Sequence, residues 1–319
     1  MIDKPTVFIL GAGASVPYGY PTGEGLRENI CNKYADRYRN LLVKSHPDIS
    51  ETDLKYFMKS VMQFTETFCN SSTSSIDLFL SRNIKIADIG KEAIAISIMD
   101  AEGRSHFRER MAPSLRTQDW YSYLFQKLTE DMIDPESYNK FNQNKVTFIT
   151  FNYDRSLEYY LYESLKNSFS SAPVQKINDQ FSKIQIFHVY GVVDKLPWQE
   201  GRLTKYGEEP SFSTIAEMKK NIRIVHEKTL EVDVSLIRQS IKEASRIFFL
   251  GFGYAQENLD ILGISSTLNT RQQIYGTAFN LTAKEISGIR ARLRKDNDHP
   301  PDHQTIINTD CRMLLREWL

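Results

Sequence analysis

The first strand pattern of this chain runs directly into a glycine turn. Residues 7–10 are all apolar, and they are followed by Gly11-Ala12-Gly13-Ala14-Ser15. A short apolar run bounded by glycines is typical of a buried strand in a parallel sheet. Glycines after such a strand let the backbone approach a phosphate group closely, and a following helix adds a favourable dipole. The pattern predicts an α/β fold whose first strand opens through this turn onto a helix.

Three later segments also place polar or glycine residues after an apolar run. They are Asn152-Tyr153-Asp154, His188-Val189-Tyr190-Gly191 and Gly251-Phe252-Gly253. Open parallel sheets bind ligands at the carboxyl ends of their strands, where such residues meet. Together with the glycine turn, these segments predict one nucleotide site in a Rossmann-like, doubly wound parallel sheet.

Each segment also has a purely structural interpretation. A tight turn into a packed helix needs the same glycines as a phosphate turn. Asn152 and Asp154 suit a helix N-cap and its neighbour, because a helical pattern begins at Arg155. His188, taken alone, suits a hydrogen-bonded residue at a strand end. Their common placement at strand ends is what favours a binding site.

The order of these segments resembles that of the sirtuin family. The Gly-Ala-Gly-x-Ser and Gly-Ile-Pro elements of that family are similar to residues 11–15 and to Gly19-Tyr20-Pro21. Its Thr-Gln-Asn-Ile-Asp and His-Gly elements resemble residues 150–154 and 188–191. The resemblance covers roughly the whole chain and implies that NAD is the nucleotide. It implies contacts with NAD from Gly11, Ala12, Gly13, Ser15, Pro21, Asp154, Gly251, Gly253 and Glu257.

The cysteines depart from the sirtuin pattern. Deacylating sirtuins hold a structural zinc with two Cys-x-x-Cys pairs, whereas this chain has only Cys31, Cys69 and Cys311. None of these lie at metal-ligand spacing, so a zinc site of that kind cannot form. We therefore expect no metal, and three unpaired cysteines fit a reducing compartment.

Two further departures weaken the case for acyl-lysine chemistry. Phe151 replaces the glutamine of the family, and Pro21 is followed by Thr22-Gly23-Glu24 where the family has an arginine, although Arg27 lies close by. The chain resembles instead the zinc-free, sirtuin-like NADase domains of prokaryotic antiphage defence systems, as does its segment 75–80. That resemblance implies an NAD+ hydrolase that depletes NAD in abortive infection.

The chemistry of NAD cleavage assigns roles to three of these residues. Breaking the nicotinamide glycosidic bond passes through an oxocarbenium-like ribose, and water must then be placed at C1′. Asn152 is expected to position that water and the ribose, and Asp154 to contact the carboxamide or the ribose. His188, with an ordinary pKa of about 6.5, is expected to act as general base or to contact the ribose.

Two other positions have balanced interpretations. Glu257, after the glycines at 251 and 253, either contacts the adenosine ribose or caps a helix. Ser75 and Asp77 suit a capping pair at the start of a helix, with a functional role as the alternative.

Composition limits the partners and the location of the chain. Its 319 residues carry 40 Lys plus Arg and 40 Asp plus Glu, a formal charge of zero, which disfavours a direct nucleic-acid surface. No run of eighteen apolar residues and no signal-peptide pattern occurs. We expect a cytoplasmic protein that does not enter a membrane.

The order of the patterns predicts one sirtuin-like domain over residues 1–319. Strands are expected near 6–10, 145–151, 184–189, 246–251 and 274–281. A helical insertion is expected at about 26–142, and a charged helix around 284–295. An edge strand near 305–308 and a closing helix are expected to end the chain.

The expected hydrolase must stay silent until infection, and we expect no sensor domain on the same chain. Control is therefore expected from a homo-oligomer or a separate defence partner. An ATPase, a short Argonaute and a nucleotide-sensing protein are precedents in the wider family. The alternatives are a catalytically silent nucleotide sensor of sirtuin fold, or a zinc-free protein deacylase or ADP-ribosyltransferase.

Overall fold

A six-stranded parallel sheet forms the centre of the molecule. The computed structural model describes residues 1–73, 75–105, 116–196, 198–224, 231–293 and 304–319. The strands are β1 (Thr6–Leu10), β2 (Val146–Thr150), β3 (Gln185–His188), β4 (Arg246–Leu250), β5 (Gln273–Thr277) and β6 (Gln304–Ile307). Their order is β3-β2-β1-β4-β5-β6, and every neighbouring pair is parallel. The predicted Rossmann-like fold class is confirmed.

The strand order changes direction between β1 and β4. The chain moves outward from β1 to β2 and β3, then returns to the other side of β1 with β4. The connection that follows β1 therefore leads toward one edge of the sheet, and the connection that follows β4 leads toward the other. In open α/β sheets such a switch point is where ligands bind.

The helices flank this sheet. Before β2 they are α1 (Gly23–Asn29), α2 (Ala35–Ser45), α3 (Glu51–Cys69), α4 (Ile76–Arg82), α5 (Ala87–Gly103) and α6 (Trp120–Thr129). After β2 they are α7 (Ser156–Ser168), α8 (Val174–Phe181), α9 (Phe212–Met218), α10 (Glu231–Glu243), α11 (Gln256–Leu262), α12 (Ile264–Thr267), α13 (Ala283–Leu293) and α14 (Cys311–Trp318). The described stretch between β1 and β2 thus consists of helices and turns, in the region where the helical insertion is predicted.

Aromatic residues in register hold the three central strands together. Phe8 on β1 lies opposite Phe148 on β2 and Phe248 on β4. The ring of Phe8 stacks at 5.2 Å from Phe148 and at 5.4 Å from Phe248. Such pairs contribute about 0.5–1.5 kcal/mol each beyond their burial, so they fix the register of the strands around the switch point.

Most of the predicted strand positions agree with the structure, and two local expectations do not. The strand expected near 274–281 ends at Thr277, and Asn280 has a φ of 59°, which turns the chain away from the sheet. The helix expected directly after the glycine turn is also wrong. Two 3₁₀ turns, Ala12–Ala14 and Val16–Tyr18, follow instead, since Gly19 takes a φ of 92° and ends them.

The cysteines correct another expectation. Cys31 and Cys69 form a disulfide that joins the segment after α1 to the end of α3, so only Cys311 is free, and it is buried. The prediction of three unpaired cysteines is wrong, because residues 38 positions apart in sequence meet when α3 packs against the segment Ile30–Tyr34 that follows α1. No described helix is long and apolar enough to cross a membrane.

Candidate functional site

A cleft of about 490 Å³ opens at the carboxyl ends of the central strands, at the switch point between β1 and β4. Eight of the residues predicted to form the site line it: Gly11, Ala12, Gly13, Pro21, Asn152, Asp154, Gly251 and Gly253. Three predicted residues lie outside its lining: Ser15, His188 and Glu257. Segments that are more than 100 residues apart in sequence therefore meet here, as the strand-end argument predicts.

Three glycines in the floor of the cleft are required by a contact between the loops after β1 and β4. They are Gly11, Gly13 and Gly251. A Cβ on Gly11 would lie 2.5 Å from the carbonyl oxygen of Gly251, and one on Gly13 would lie 2.9 Å from the same oxygen. Gly251 has a φ of 55°, and its own Cβ would lie 2.0 Å from the nitrogen of Ala14. The loops after β1 and β4 thus need glycine in order to touch each other.

Most N–H groups of the glycine turn are occupied by this packing. The N–H of Gly11 donates to the Leu250 carbonyl at 3.0 Å, and that of Gly13 donates to Gly251 at 3.0 Å. The next two N–H groups donate back into the turn, from Ala14 to Gly11 and from Ser15 to Ala12. Among the described residues, Ala12 is left as the turn's N–H without a protein acceptor. A phosphate cradle formed by several N–H groups of this turn, as the sequence suggests, is therefore not present.

Asn152 occupies the centre of the cleft wall and is held by its amide nitrogen. Its Nδ2 donates to the Gly11 carbonyl at 3.1 Å and to the Ser15 hydroxyl at 3.0 Å. Because a carbonyl only accepts, this arrangement fixes which end of the amide is nitrogen. The side chain is 8% exposed, and its Oδ1 has no hydrogen-bond partner among the described residues. A buried acceptor without a partner costs about 1–3 kcal/mol, so this oxygen is suited to receive a ligand or a water.

Ser15 acts through Asn152 and does not line the cleft. Its side chain is buried, and its hydroxyl accepts the hydrogen bond from Asn152 Nδ2. The neighbouring carbonyl of Ala14 accepts from the indole of Trp120 at 2.8 Å, which anchors the same turn to α6. Ser15 therefore orients the asparagine that faces the ligand space.

His188 lies at the end of β3 and has both ring nitrogens engaged. Its Nδ1 donates to the backbone carbonyl of Asn152 at 3.2 Å, and its Nε2 donates to the carboxylate of Glu158 on α7. Burial lowers the pKa of His188, but the charge and hydrogen bond of Glu158 outweigh it, so that the pKa is raised. Both ring nitrogens thus face protein oxygens, and His188 does not line the cleft. In this geometry His188 supports the backbone of Asn152.

Asp154 combines a place in the cleft with a structural hydrogen bond. Its carboxylate accepts from the backbone N–H of Ser156 at 3.0 Å and from the Ser156 hydroxyl, so it satisfies the first turn of α7. Burial raises the pKa of Asp154, while the hydrogen bonds of Ser156 and Ser15 oppose that shift. Both the capping and the binding interpretations of this residue are therefore compatible with its position.

Asp77, for which the sequence left a functional role as the alternative to capping, lines the cleft. It lies in the first turn of α4 and accepts a hydrogen bond from the Tyr153 hydroxyl. Ser75 caps α4, since its hydroxyl accepts from the N–H of Leu78 at 3.2 Å. Burial raises the pKa of Asp77 to about 6, although the hydrogen bond from Tyr153 opposes the shift. Only Ser75 of the expected capping pair thus caps the helix with its side chain.

At the other side of the cleft, Asn258 lines the wall while Glu257 is exposed. The Oδ1 of Asn258 accepts from the Tyr190 hydroxyl at 2.6 Å, so the side chain is held against another residue of the lining. The sequence carries a signal for this choice. Asn258 lies four residues before the fully buried Leu262 and so shares its inward helix face, whereas Glu257 does not.

The lining of the cleft is acidic and aromatic. Of its described lining residues, two are aspartates and none carries a basic side chain. Its aromatic residues are Tyr20, Phe151, Tyr153, Tyr190, Phe252 and Phe279. Phe279 at the mouth is 64% exposed, which leaves its ring face open to a planar group. The described residues contain no group of three histidine, cysteine or carboxylate side chains placed to hold a metal ion.

Arg27, which lies near the position of the family's arginine, is used elsewhere. Its guanidinium donates to the carbonyls of Phe68 at 3.0 Å and of Cys69 at 2.9 Å, at the end of α3. It also lies over the Phe68 ring, 4.7 Å from the centroid. The carbonyls that a helix C-terminus leaves unpaired are thus satisfied by Arg27.

No protein-family model matches this chain, and no curated protein matches it at a significant level. What is known of the site therefore comes from its own residues and their geometry.

Proposed function

We propose that the chain is an NAD+ hydrolase that cleaves NAD to nicotinamide and ADP-ribose. The observation that carries the proposal is the buried Oδ1 of Asn152, which has no partner in the described part of the chain and lies in the wall of a cleft at the sheet's switch point. The sirtuin-like order of the segments around it supports NAD as the nucleotide. An amide held rigidly at its nitrogen end presents its oxygen at one fixed place, which suits the positioning of water and ribose.

The charge of the cleft supports glycosidic cleavage. The nicotinamide ring of NAD is positively charged, and that charge moves to the ribose when the bond to C1′ breaks. Asp77 and Asp154 are the acidic residues of the described lining, and no described basic side chain opposes them there. Fixed negative groups beside a developing cation stabilise the transition state.

The test is release of nicotinamide from NAD by the purified protein and by Asn152→Ala. We expect the variant to lose at least about 10²-fold in rate, because water and ribose are no longer held in line. His188→Ala should lose less, since His188 acts through the backbone of Asn152. The matched control is His46→Ala. His46 is exposed and lies directly after α2, so this variant should keep the wild-type rate.

We also propose, from the same resemblance, that the hydrolase is a cytoplasmic effector of antiphage defence under the control of self-assembly or a partner protein. The assay is therefore run with the purified protein alone and with lysate from phage-infected cells. Release at full rate by the protein alone would overturn the proposed control. Release that requires lysate would support it.

A second candidate is a nucleotide sensor that binds NAD or ADP-ribose without cleaving it. The observation in its favour is that His188 has no nitrogen available as a base. A sensor would bind NAD in a calorimetric titration and release no nicotinamide under any of these conditions. Asn152→Ala would then weaken binding alone.

A further inference from the structure

Asp77 is an acidic residue of the cleft lining. The helix that carries it is already capped by Ser75, and no basic side chain pairs with its carboxylate among the described lining residues. Its Oδ1 accepts from the Tyr153 hydroxyl, whose residue is the neighbour of Asn152 in sequence. The two residues therefore enter the same ligand space from different elements, Asp77 from α4 and Asn152 from the end of β2.

The candidate proton acceptors are His188, Asp154 and Asp77. His188 donates from both nitrogens, and Asp154 is tied to the first turn of α7 through Ser156. Asp77 lines the cleft and accepts a hydrogen bond from the Tyr153 hydroxyl, so its carboxylate is oriented within reach of a water in the ligand space. Of these three groups, it is the one with geometry suited to accept a proton in the cleft.

We propose that Asp77, oriented by Tyr153, is the general base that activates the attacking water in the cleft. The inference rests on the proposed hydrolysis of NAD. The water oxygen forms a bond to C1′ of the ribose while its proton passes to the Asp77 carboxylate. The bond from C1′ to the nicotinamide nitrogen breaks, and its electron pair neutralises the ring. The proton on Asp77 then leaves to solvent, so atoms and charges balance.

The protonation of Asp77 suits this role. Burial raises its pKa to about 6, so the carboxylate is mostly ionised at neutral pH and still basic enough to take a proton. The titratable groups that face it are Tyr153 and Tyr190, and burial raises the pKa of Tyr190 well above its usual value. The nearby Arg223 offers only its carbonyl to Tyr153, and its guanidinium lies 3.6 Å from Asp233.

The experiment measures nicotinamide release against pH for the wild type and for Asp77→Asn. In the wild type, kcat/KM should fall below a midpoint near 6, as Asp77 becomes protonated. Asp77→Asn keeps the acceptor for Tyr153, should lose about 10²–10⁴-fold in kcat with little change in KM, and should lack the acid limb. Asp48→Asn, an exposed aspartate, is the control and should behave like the wild type.

Two further variants separate catalysis from structure. Tyr153→Phe removes a hydrogen bond that holds the pKa of Asp77 down, so its acid limb should move to higher pH. Asp77→Gly leaves room for a small carboxylate, and added formate should restore release in that variant alone. An active wild type whose Asp77→Asn variant keeps its rate and acid limb overturns the role of Asp77 alone. A wild type that binds NAD without release under any condition overturns the hydrolysis and this inference together.

Discussion

Two polar clusters meet at the segment that follows β2, and they differ in how completely they are paired. The buried ion cluster consists of Arg155 with Glu102 and Asp194, and the cleft cluster consists of Asn152 with Asp77 and Tyr153. Arg155 is 1% exposed, and all three of its guanidinium nitrogens donate to protein oxygens. Asn152 is nearly as buried, yet its Oδ1 has no partner within the described ranges.

Two residues close together in sequence therefore have different roles. Arg155 is suited to stabilising the fold, and Asn152 is suited to binding a ligand. Arg155 ties the start of α7 to α5 through Glu102, at 2.9 Å and 2.8 Å, and to the loop at Asp194. A fully paired ion cluster offers nothing to a ligand, whereas an unpartnered acceptor in a cleft does. The buried ion cluster is thus a scaffold that holds the cleft cluster in place.

The largest expected effect on stability comes from removing the charge of Arg155 from the buried ion cluster. Arg155→Met leaves Glu102 and Asp194 buried without their counter-charge, which should lower the free energy of unfolding by about 3–5 kcal/mol. The half-exposed pair of Arg37 and Asp100 is the matched control, and Arg37→Met should cost about 1 kcal/mol or less. Urea unfolding measures both. Equal losses would show that burial does not distinguish the two pairs.

The next largest effect on stability is expected at the contact between the loops that follow β1 and β4. Gly251→Ala forces a Cβ to within 2.0 Å of the Ala14 nitrogen at a positive φ, so it should destabilise the fold by about 3 kcal/mol or more. Gly253→Ala, two residues later, meets nothing within 4 Å and should change stability by about 0.5 kcal/mol or less. Thermal unfolding compares them. A stable Gly251→Ala protein would mean that the loops can separate.

The smallest effect concerns the pair that supports Asn152 from behind. The pKa of His188 is raised in the folded state, so the pair with Glu158 stabilises the fold fully below the ordinary histidine pKa. That contribution is lost as the pH rises through the raised value. The unfolding free energy of the wild type should therefore approach that of His188→Gln between neutral and alkaline pH. A difference that stays constant over this range would show that the imidazole is neutral.

Local patterns were sufficient for the strands and for most of the cleft lining. Residues 7–10 and their counterparts identify buried strands because apolar runs and glycine boundaries are local properties. Since parallel strands present their carboxyl ends at one edge, the residues that follow them meet whatever the details of the fold. The sequence was therefore sufficient to predict that Asn152 and the glycines at 11, 13 and 251 line the site.

Sequence alone could not decide the partners of these residues. The reason for glycine at 11 and 13 is the approach of the loop at Gly251, not a positive φ at either position. The choice of Asn258 over Glu257 depends on which helix face meets the sheet. The disulfide between Cys31 and Cys69 likewise depends on how α3 packs.

The sequence by itself determined a doubly wound parallel sheet and the strand ends at which its cleft opens, because both follow from residue patterns along short segments. Only the tertiary structure decided which polar groups face that cleft unpaired. It brought Asp77 to Tyr153 across 76 residues and placed Glu158 on His188. Hydrogen-bond partners are set by packing between distant elements, and no local pattern encodes that packing.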